Sequence, residues 1–335
     1  MIDNLYLQNN YLDMGAVLKA PYPFTICVSA RGGGKTYGIL EACVINHLKF
    51  IYVRTSKTIL DMITDSRYQP FKKINANNGW RIEAEYSKGL GTYINRDTGE
   101  IVGYAAALSV FSNIRSIDGS DILVFIYDEF IPQENDIVRF NAFPALLHAV
   151  ETIGRNREQE GQDPLKVVLL SNSDLIYGDI VAGFNIGDDL LWMQENKIEQ
   201  FEKSQDMLLI MLALEAFKEK KSETALYRVS AGTEFADVAL HNKFKIHDRE
   251  RVRSRPLAEY RPIASLFGIV IYEHKSKYEY FITDKMSGSP RKYESTETDR
   301  RRFLNEHPEI WRAYQDRAVI FSNIKVQTIY KRLFE

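Results

Sequence analysis

Apolar residues gather along this chain in short runs that alternate with helix-spaced stretches, the pattern of an α/β fold whose sheet is covered on both faces. Phe24 to Val28 has the β-branched and aromatic content of a buried strand, and from Tyr37 the apolar positions fall at Tyr37, Leu40, Val44 and Leu48, which is helical spacing. Phe50 to Arg54 predicts a second strand, and the polar stretch Thr55 to Thr58 leads into another helix. Asn75 to Gly103, rich in Asn, Gly and single charges with a turn at Asp97-Thr98-Gly99, predicts a hairpin that decorates the sheet. Tyr104 to Phe111, Asp121 to Tyr127 and Lys166 to Ser171 predict further strands. Glu134 to Ile153 carries an apolar helical face, with Pro144 expected to kink or restart the helix.

After Asn172 the pattern changes. Leu175 to Phe201 mixes turns and short helices, and Met207 to Lys221 predicts a helix, apolar on nearly every side before it turns basic, that other parts of the chain must cover. From about Tyr227 short β-type segments take over. Leu266 to Tyr272 and Tyr278 to Ile282, joined across Lys275-Ser276-Lys277, predict a hairpin in a separate α+β module. The expected division is therefore residues 1–200, a helical linker or lid at 201–232, and a small α+β domain at 233–335.

Composition narrows this picture only a little. A chain of 335 residues can bury two good cores. Its longest apolar runs are too short to span a bilayer, and Met1 to Asn4 lacks the basic start and apolar core of a secretory signal, so no membrane association is expected. Cys27 and Cys43 are placed like small core hydrophobes, which fits a reducing cytoplasm. A formal charge of −2 leaves any nucleic-acid binding to local clusters of Lys and Arg.

The chemistry is concentrated between the first strand and the first long helix, at Cys27-Val28-Ser29-Ala30-Arg31-Gly32-Gly33-Gly34-Lys35-Thr36. Glycines in a strand-to-helix turn let backbone N–H groups close around a β-phosphate. Lys35 can then reach the β- and γ-phosphates, and the Thr36 hydroxyl can ligate Mg²⁺. The usual pattern G-x-x-x-x-G-K-[ST] has glycine where this chain has Ser29. A second signal is the apolar run Ile122 to Tyr127 ending in Asp128-Glu129, which delivers two acids to the C-terminal edge of the sheet. Asp128 would hold Mg²⁺, and Glu129 would orient and polarise an attacking water. Ser171-Asn172, closing the next apolar run, falls where Asn172 would sense a γ-phosphate. Arg31 and Arg115 are further candidates for phosphate contact. Arg155, in Arg155-Asn156-Arg157, follows a helix that would carry it roughly 22 Å from the strand end bearing Glu129, a reach better suited to a neighbouring subunit's nucleotide.

In order along the chain, Ala30 to Tyr37, Phe50 to Arg54, Asp128 to Ile131, Arg155 to Arg157 and Leu170 to Asn172 resemble the DNA-packaging ATPases of small tailed phages of the phi-29 type. The resemblance covers the N-terminal half. It implies a P-loop ATPase of the additional-strand, catalytic-glutamate class that uses ATP and Mg²⁺. Such a motor works as a homomeric ring, usually a pentamer, docked at the portal of an empty procapsid in the host cytoplasm, and drives double-stranded DNA inward. A structural packaging RNA is a possible further partner of that ring. By the same resemblance Arg155 matches the family's trans-acting arginine, Arg115 stands where the family has a lysine, and a helical linker leads to a ribonuclease-H-like domain without nuclease activity. On its own terms the last hundred residues offer Glu273, Glu279 and Asp284, off the central apolar run, where a two-metal nuclease needs acids converging on ions about 4 Å apart. Lys243, Lys245, Arg249, Arg251, Arg253 and Arg255 form a basic stretch, interrupted by Asp248 and Glu250, that is a candidate DNA or RNA contact. Two other readings stay open on the sequence: a helicase-like P-loop ATPase, and a capsid-docking scaffold whose nucleotide only regulates assembly. ATP is not distinguished from GTP by any positive motif, although the guanine-reading Asn-Lys-x-Asp is absent.

Overall fold

The computed structural model describes the chain except residues 31, 66, 88–89, 115–118, 133–140, 173–175, 177, 213–221, 234–248 and 335, and describes the backbone but not the side chains of 112–114 and 249. Contacts divide it into two units, Met1–Leu175 with Leu190–Lys245, and Ile176–Asp189 with Ile246–Glu335.

In the first unit, the described residues build a nine-stranded sheet. Its strands are β1 (Phe24–Ser29), β2 (Phe50–Arg54), β3 (Ile82–Ser87), β4 (Leu90–Asn95), β5 (Ile101–Ala107), β6 (Val124–Asp128), β7 (Lys166–Asn172), β8 (Gln200–Ser204) and β9 (Met207–Leu212), in the order β3-β4-β5-β2-β6-β7-β1-β9-β8. Pairing is parallel from β5 through to β9 and antiparallel at both edges. Central strands are buried on both faces, which is why β2, β6 and β7 read as unbroken apolar runs. Helices α1 (Met14–Lys19), α2 (Lys35–Ile45), α3 (Lys57–Thr64), α4 (Phe71–Asn78) and α5 (Ala142–Gly154) belong to this unit. Local chemistry sets several of their starts: Asp13 caps α1 by accepting from Ala16 N, and Ser56 caps α3 by accepting from Ile59 N. The antiparallel pairs β3–β4 and β4–β5 continue the sheet at one edge, with the turn at Asp97-Thr98-Gly99 joining β4 to β5, while Asn75 to Asn78 of the expected hairpin segment close α4.

Three expectations for this unit are corrected. Met207–Leu212 is a strand, paired with β1 on one side and β8 on the other, and not the start of a helix; six apolar residues in a row carry no period that could tell the two apart. Residues 201–212, assigned from sequence to a helical linker, therefore complete the first unit's sheet, and a short helix at Ala225–Val229 is the regular element described later in that stretch. Pro144, expected to kink or restart a helix, is the third residue of one described from Ala142, in the first turn, where its missing N–H would have no helical partner; residues 134–140 of the expected helical face lie outside the described residues. The strand expected from Tyr104 to Phe111 stops at Ala107, and a 3₁₀ turn follows over Leu108–Ile114.

The second unit has a five-stranded sheet among its described residues, of β10 (Tyr260–Leu266), β11 (Ile269–His274), β12 (Tyr280–Thr283), β13 (Arg291–Lys292) and β14 (Val319–Phe321), ordered β13-β10-β11-β12-β14. Leu266 to Tyr272 is not one strand, because Phe267 and Gly268 take φ of 48° and 77° and turn the chain between β10 and β11. The lysine-flanked turn between β11 and β12 is where the sequence places it. Helices α6 (Asp179–Gly183), α7 (Glu297–Glu306), α8 (Pro308–Gln315) and α9 (Ile324–Arg332) accompany this sheet, and Ile271, Ile282, Phe303, Ile310, Phe321 and Tyr330 form its core. An ion pair from Arg332 to buried Asp179 ties the 176–189 segment to α9.

Packing at β5 supplies a test of the first unit's core. Phe50, Phe71 and Tyr93 form a buried aromatic cluster with ring centroids 5.0 to 6.1 Å apart. A methyl group on Gly103 would stand 2.5 Å from Phe50 Cζ. Gly103→Ala should cost about 1–3 kcal/mol in urea unfolding, by overpacking a site with no room to yield.

Candidate active site

Parallel register brings the functional strand ends together. Ser29 pairs with Asn172, Leu170 with Asp128, and Val53 with Tyr127, so the C-terminal ends of β1, β7, β6 and β2 share one edge of the sheet. Between β1 and α2 the chain turns through Gly32 and Gly34, whose φ values are 92° and 77°. Gly34 has a second reason to be glycine, since a Cβ there would come within 2.5 Å of the Tyr11 ring. It leaves the first amides of α2 without a side-chain cap, which is the donor array an anion needs.

Lys35 is buried, and its Nζ lies 2.6 Å from Ser29 Oγ, 3.3 Å from Asn172 Oδ1, and 3.4 Å from the carbonyl oxygens of Ser29 and Ala30. Ser29 Oγ donates its own proton to Ala30 O at 3.0 Å, which leaves a lone pair for the ammonium. The residue that departs from the usual glycine thus gives the lysine an acceptor. Thr36 Oγ1 donates to Asp128 Oδ2 at 2.7 Å, and this spends its proton while leaving its lone pairs able to face a cation. Gly32, Gly33, Gly34, Lys35, Thr36, Tyr37, Asp128, Glu129, Ser171 and Asn172 line one cavity of about 350 Å³.

The two acids are treated differently. Asp128 is buried, and its Oδ2 accepts from both Thr36 and the Tyr52 hydroxyl at 2.7 Å, while Oδ1 accepts from Glu129 N at 3.0 Å. Glu129 sits at φ 57°, where β6 ends, and its half-exposed side chain turns to Arg54. Phe130 N and Ile131 N then bond to Leu170 O and Ser171 Oγ, fixing the chain beyond the acids to β7. Arg54 donates one arm to the Glu129 carboxylate and the other to Tyr52 Oη at 3.3 Å, and lies 3.8 Å from Asp128 Oδ2. Burial works against the Arg54 charge, but Tyr52, Asp128 and Glu129 outweigh it and raise its pKa. Burial, and then the charge of Asp128, push the Tyr52 phenol well above its ordinary value, so it stays a donor. Sequence reasoning placed Arg54 at a strand end without assigning it a task. The signal that could have found it is a charged residue closing an otherwise apolar strand.

Residues 8–267 match the Podovirus DNA encapsidation protein (Gp16) family. The chain belongs to that family. It is 28% identical over 229 residues to the DNA packaging protein of Bacillus phage phi29, covering 65% of this chain and 60% of that protein. The DNA packaging protein of Bacillus phage B103 is 26% identical over 222 residues, with 65% and 63% covered. The match to the phage phi29 and B103 proteins thus spans less than two thirds of their length. Among solved structures, the fold is similar to the Phi-28 gp11 DNA packaging motor (TM-score 0.65, 16% identity, 96% of both chains) and to the bacteriophage Phi-29 viral genome packaging motor assembly (TM-score 0.64, 19% identity, 99% of both chains).

In this family member the remaining candidate residues separate. Arg31 and Arg115 lie outside the described residues. Arg155 is exposed at the C-terminus of α5, at φ 44°, and does not line the cavity. Its neighbour Arg157 is buried and donates to Ser120 O and Ile122 O at 2.9 and 2.8 Å, a structural tie to the segment that enters β6. The basic stretch does not form one exposed patch. Lys243, Lys245 and the Arg249 side chain are outside the described residues, Arg251 is buried with its guanidinium 4.9 Å from the Tyr314 ring centroid, and Arg255 makes a two-armed pair with Glu279 at 2.9 and 3.2 Å. Arg253 is exposed. Packing and a local carboxylate therefore take Arg251 and Arg255 out of the proposed contact.

Cys27, in β1 just before the loop, is fully buried, and burial pushes its thiol up to about 12 although Lys35 pulls it back; burial also pushes up Cys43. Both thiols should therefore react with DTNB near pH 8 at least about a hundredfold more slowly in the folded chain than in denaturant, because the thiolate is the reacting species. Fast labelling of the native chain would show that β1 is not packed as described.

Proposed function

We propose that this chain is an ATP-driven motor that moves double-stranded viral DNA into an empty procapsid. It works as a homomeric ring, a pentamer, docked at the portal vertex in the host cytoplasm, with a structural RNA as a further contact. Membership of a DNA encapsidation family supports the direction of transport. The observation that carries the enzymatic part is the convergence of Lys35, Thr36, Asp128, Glu129 and Asn172 on one cavity. The placement of β7 between the phosphate-loop strand β1 and the acid-bearing strand β6 supports the additional-strand, catalytic-glutamate class.

The residues present fit a nucleoside triphosphate with Mg²⁺. Uncapped amides at the start of α2 face the cavity mouth as phosphate donors, and Thr36 and Asp128 together offer a hydroxyl lone pair and a carboxylate to a divalent cation. When bound, Mg²⁺ neutralises charge on the phosphates and the leaving group. Lys35 exchanges its contacts with Ser29 and Asn172 for phosphate oxygens, and Asn172 Oδ1, freed of the lysine, lets its amide turn toward the terminal phosphate. Glu129 activates the attacking water, and it can do so only after leaving Arg54, because a carboxylate held by a guanidinium is a poor acceptor for a water proton. The described conformation is thus a restrained one, suited to a motor that must not hydrolyse ATP until engaged. Arg155, exposed and outside its own cavity, supplies positive charge to the neighbouring subunit's site.

For the second unit we propose a ribonuclease-H-like module without nuclease activity. Support comes from the antiparallel meander β10–β11–β12 with β13 running parallel beside β10, and from Glu273 and Glu279 being engaged by Arg261 and Arg255.

The test is ATP hydrolysis by the purified chain with empty procapsids, with and without double-stranded DNA. Rates that rise only when both are present support the motor, and strand separation in a displacement assay would replace it with a helicase. Lys35→Ala should abolish nucleotide binding, whereas Glu129→Gln should bind ATP and lose turnover, since it keeps every phosphate donor. A Glu129→Gln chain with the unaltered rate would end the catalytic assignment.

Arg155→Ala should bind ATP nearly normally and hydrolyse it about 10³- to 10⁵-fold more slowly. Titrating it with Glu129→Gln subunits should restore part of the activity, because some interfaces of a mixed ring then pair an intact Arg155 with an intact Glu129. Mixed rings that form but hydrolyse no faster than either parent would place Arg155 outside the reaction.

A further inference from the structure

The geometry points to Tyr52 as a positioning residue that ties the metal-site carboxylate, Asp128, to the arginine that restrains Glu129. This rests on the reading of the cavity as a hydrolytic site. Tyr52 stands in the middle of β2 with 1% of its surface exposed, a position that a phenylalanine would fill equally well if only volume mattered. Its hydroxyl is instead the middle link of a directed chain. Arg54 Nη1 donates to Tyr52 Oη at 3.3 Å, and Tyr52 donates to Asp128 Oδ2 at 2.7 Å. The order cannot reverse, because a guanidinium has no acceptor and an ionised carboxylate has no proton. At the outer end, the other arm of Arg54 holds Glu129.

Each link polarises the next. Asp128 Oδ2, bonded by the Thr36 and Tyr52 hydroxyls, draws the Tyr52 O–H toward itself, makes the phenol oxygen a better acceptor, and also attracts Arg54 directly across 3.8 Å. The guanidinium is then anchored at its inner side, and its outer arm presents a fixed point to Glu129. Asp128 and Thr36 would hold a divalent cation, whose charge would compete for that same carboxylate and weaken both inner anchors of Arg54 together, easing its hold on Glu129. The chain of donors makes the restraint on the catalytic carboxylate sensitive to what occupies the metal end of the site. Neither residue needs to touch the substrate for this.

Removing the hydroxyl should loosen the restraint in advance. Tyr52→Phe is therefore expected to raise the ATPase rate measured without DNA by about two- to tenfold, the range a single hydrogen bond spans in an equilibrium. The rate with procapsids and DNA should change less, so that the ratio of stimulated to unstimulated rate falls. In an Arg54→Ala background the same substitution should leave the ratio unchanged within about twofold, because the element through which Tyr52 acts is gone. A merely structural tyrosine would lower both rates in proportion, and a ratio unchanged or raised in Tyr52→Phe would overturn the proposal. If Tyr52→Phe loses the native circular dichroism spectrum, the ratio is read instead with 3-fluorotyrosine at position 52, which keeps the shape and weakens the oxygen as an acceptor. A lowered ratio supports the link and an unchanged one overturns it. Failure of the underlying reading looks different: an unaltered chain that hydrolyses no ATP overturns the hydrolytic site and the Tyr52 link with it, before any substitution is compared.

Discussion

Parallel pairing of β1 with β7, and of β7 with β6, is the constraint on which the site depends. Three strands of one sheet end at nearly the same level, so a lysine following the first, an asparagine closing the second and two acids closing the third meet without any loop having to reach across. A slip of one residue in β7 would turn Asn172 to the other face of the sheet, because side chains alternate along a strand. Hydrogen bonds from Phe130 N to Leu170 O and from Ile131 N to Ser171 Oγ fix the end of β7 to the chain leaving β6.

The charged groups at that edge are held by hydrogen bonds: Lys35 donates to Ser29 Oγ and Asn172 Oδ1, Asp128 accepts from two hydroxyls and from Glu129 N, and Arg54 donates to Glu129 and Tyr52. A buried charge with weak compensation is costly, and the arrangement avoids that cost while leaving each group with a partner it can exchange.

Much of this was legible in the sequence, and the misses have particular causes. The glycine-rich turn between β1 and α2, and β1, β2, β6 and β7, announce themselves through glycine spacing and through runs that only a strand covered on both faces would tolerate. Met207–Leu212 did not, because a run with no polar residue has no period. The turn at Phe267-Gly268 was hidden by its phenylalanine, a residue that rarely takes positive φ. Arg54 and Tyr52 were readable as strand residues, but their work depends on which strand lies beside β2, and sheet order is a tertiary fact that local pattern does not contain.

Arg157 gives the surface around Arg155 a mechanical character. Two residues beyond the exposed arginine, the chain is fastened through a buried guanidinium to the carbonyls of Ser120 and Ile122, at the foot of the strand whose other end carries Asp128. A push or pull on that surface would be passed into β6 over a very short span of backbone instead of being absorbed by a slack loop. The same strand that carries Asp128 at one end is thus gripped at the other by a side chain from the helix terminus.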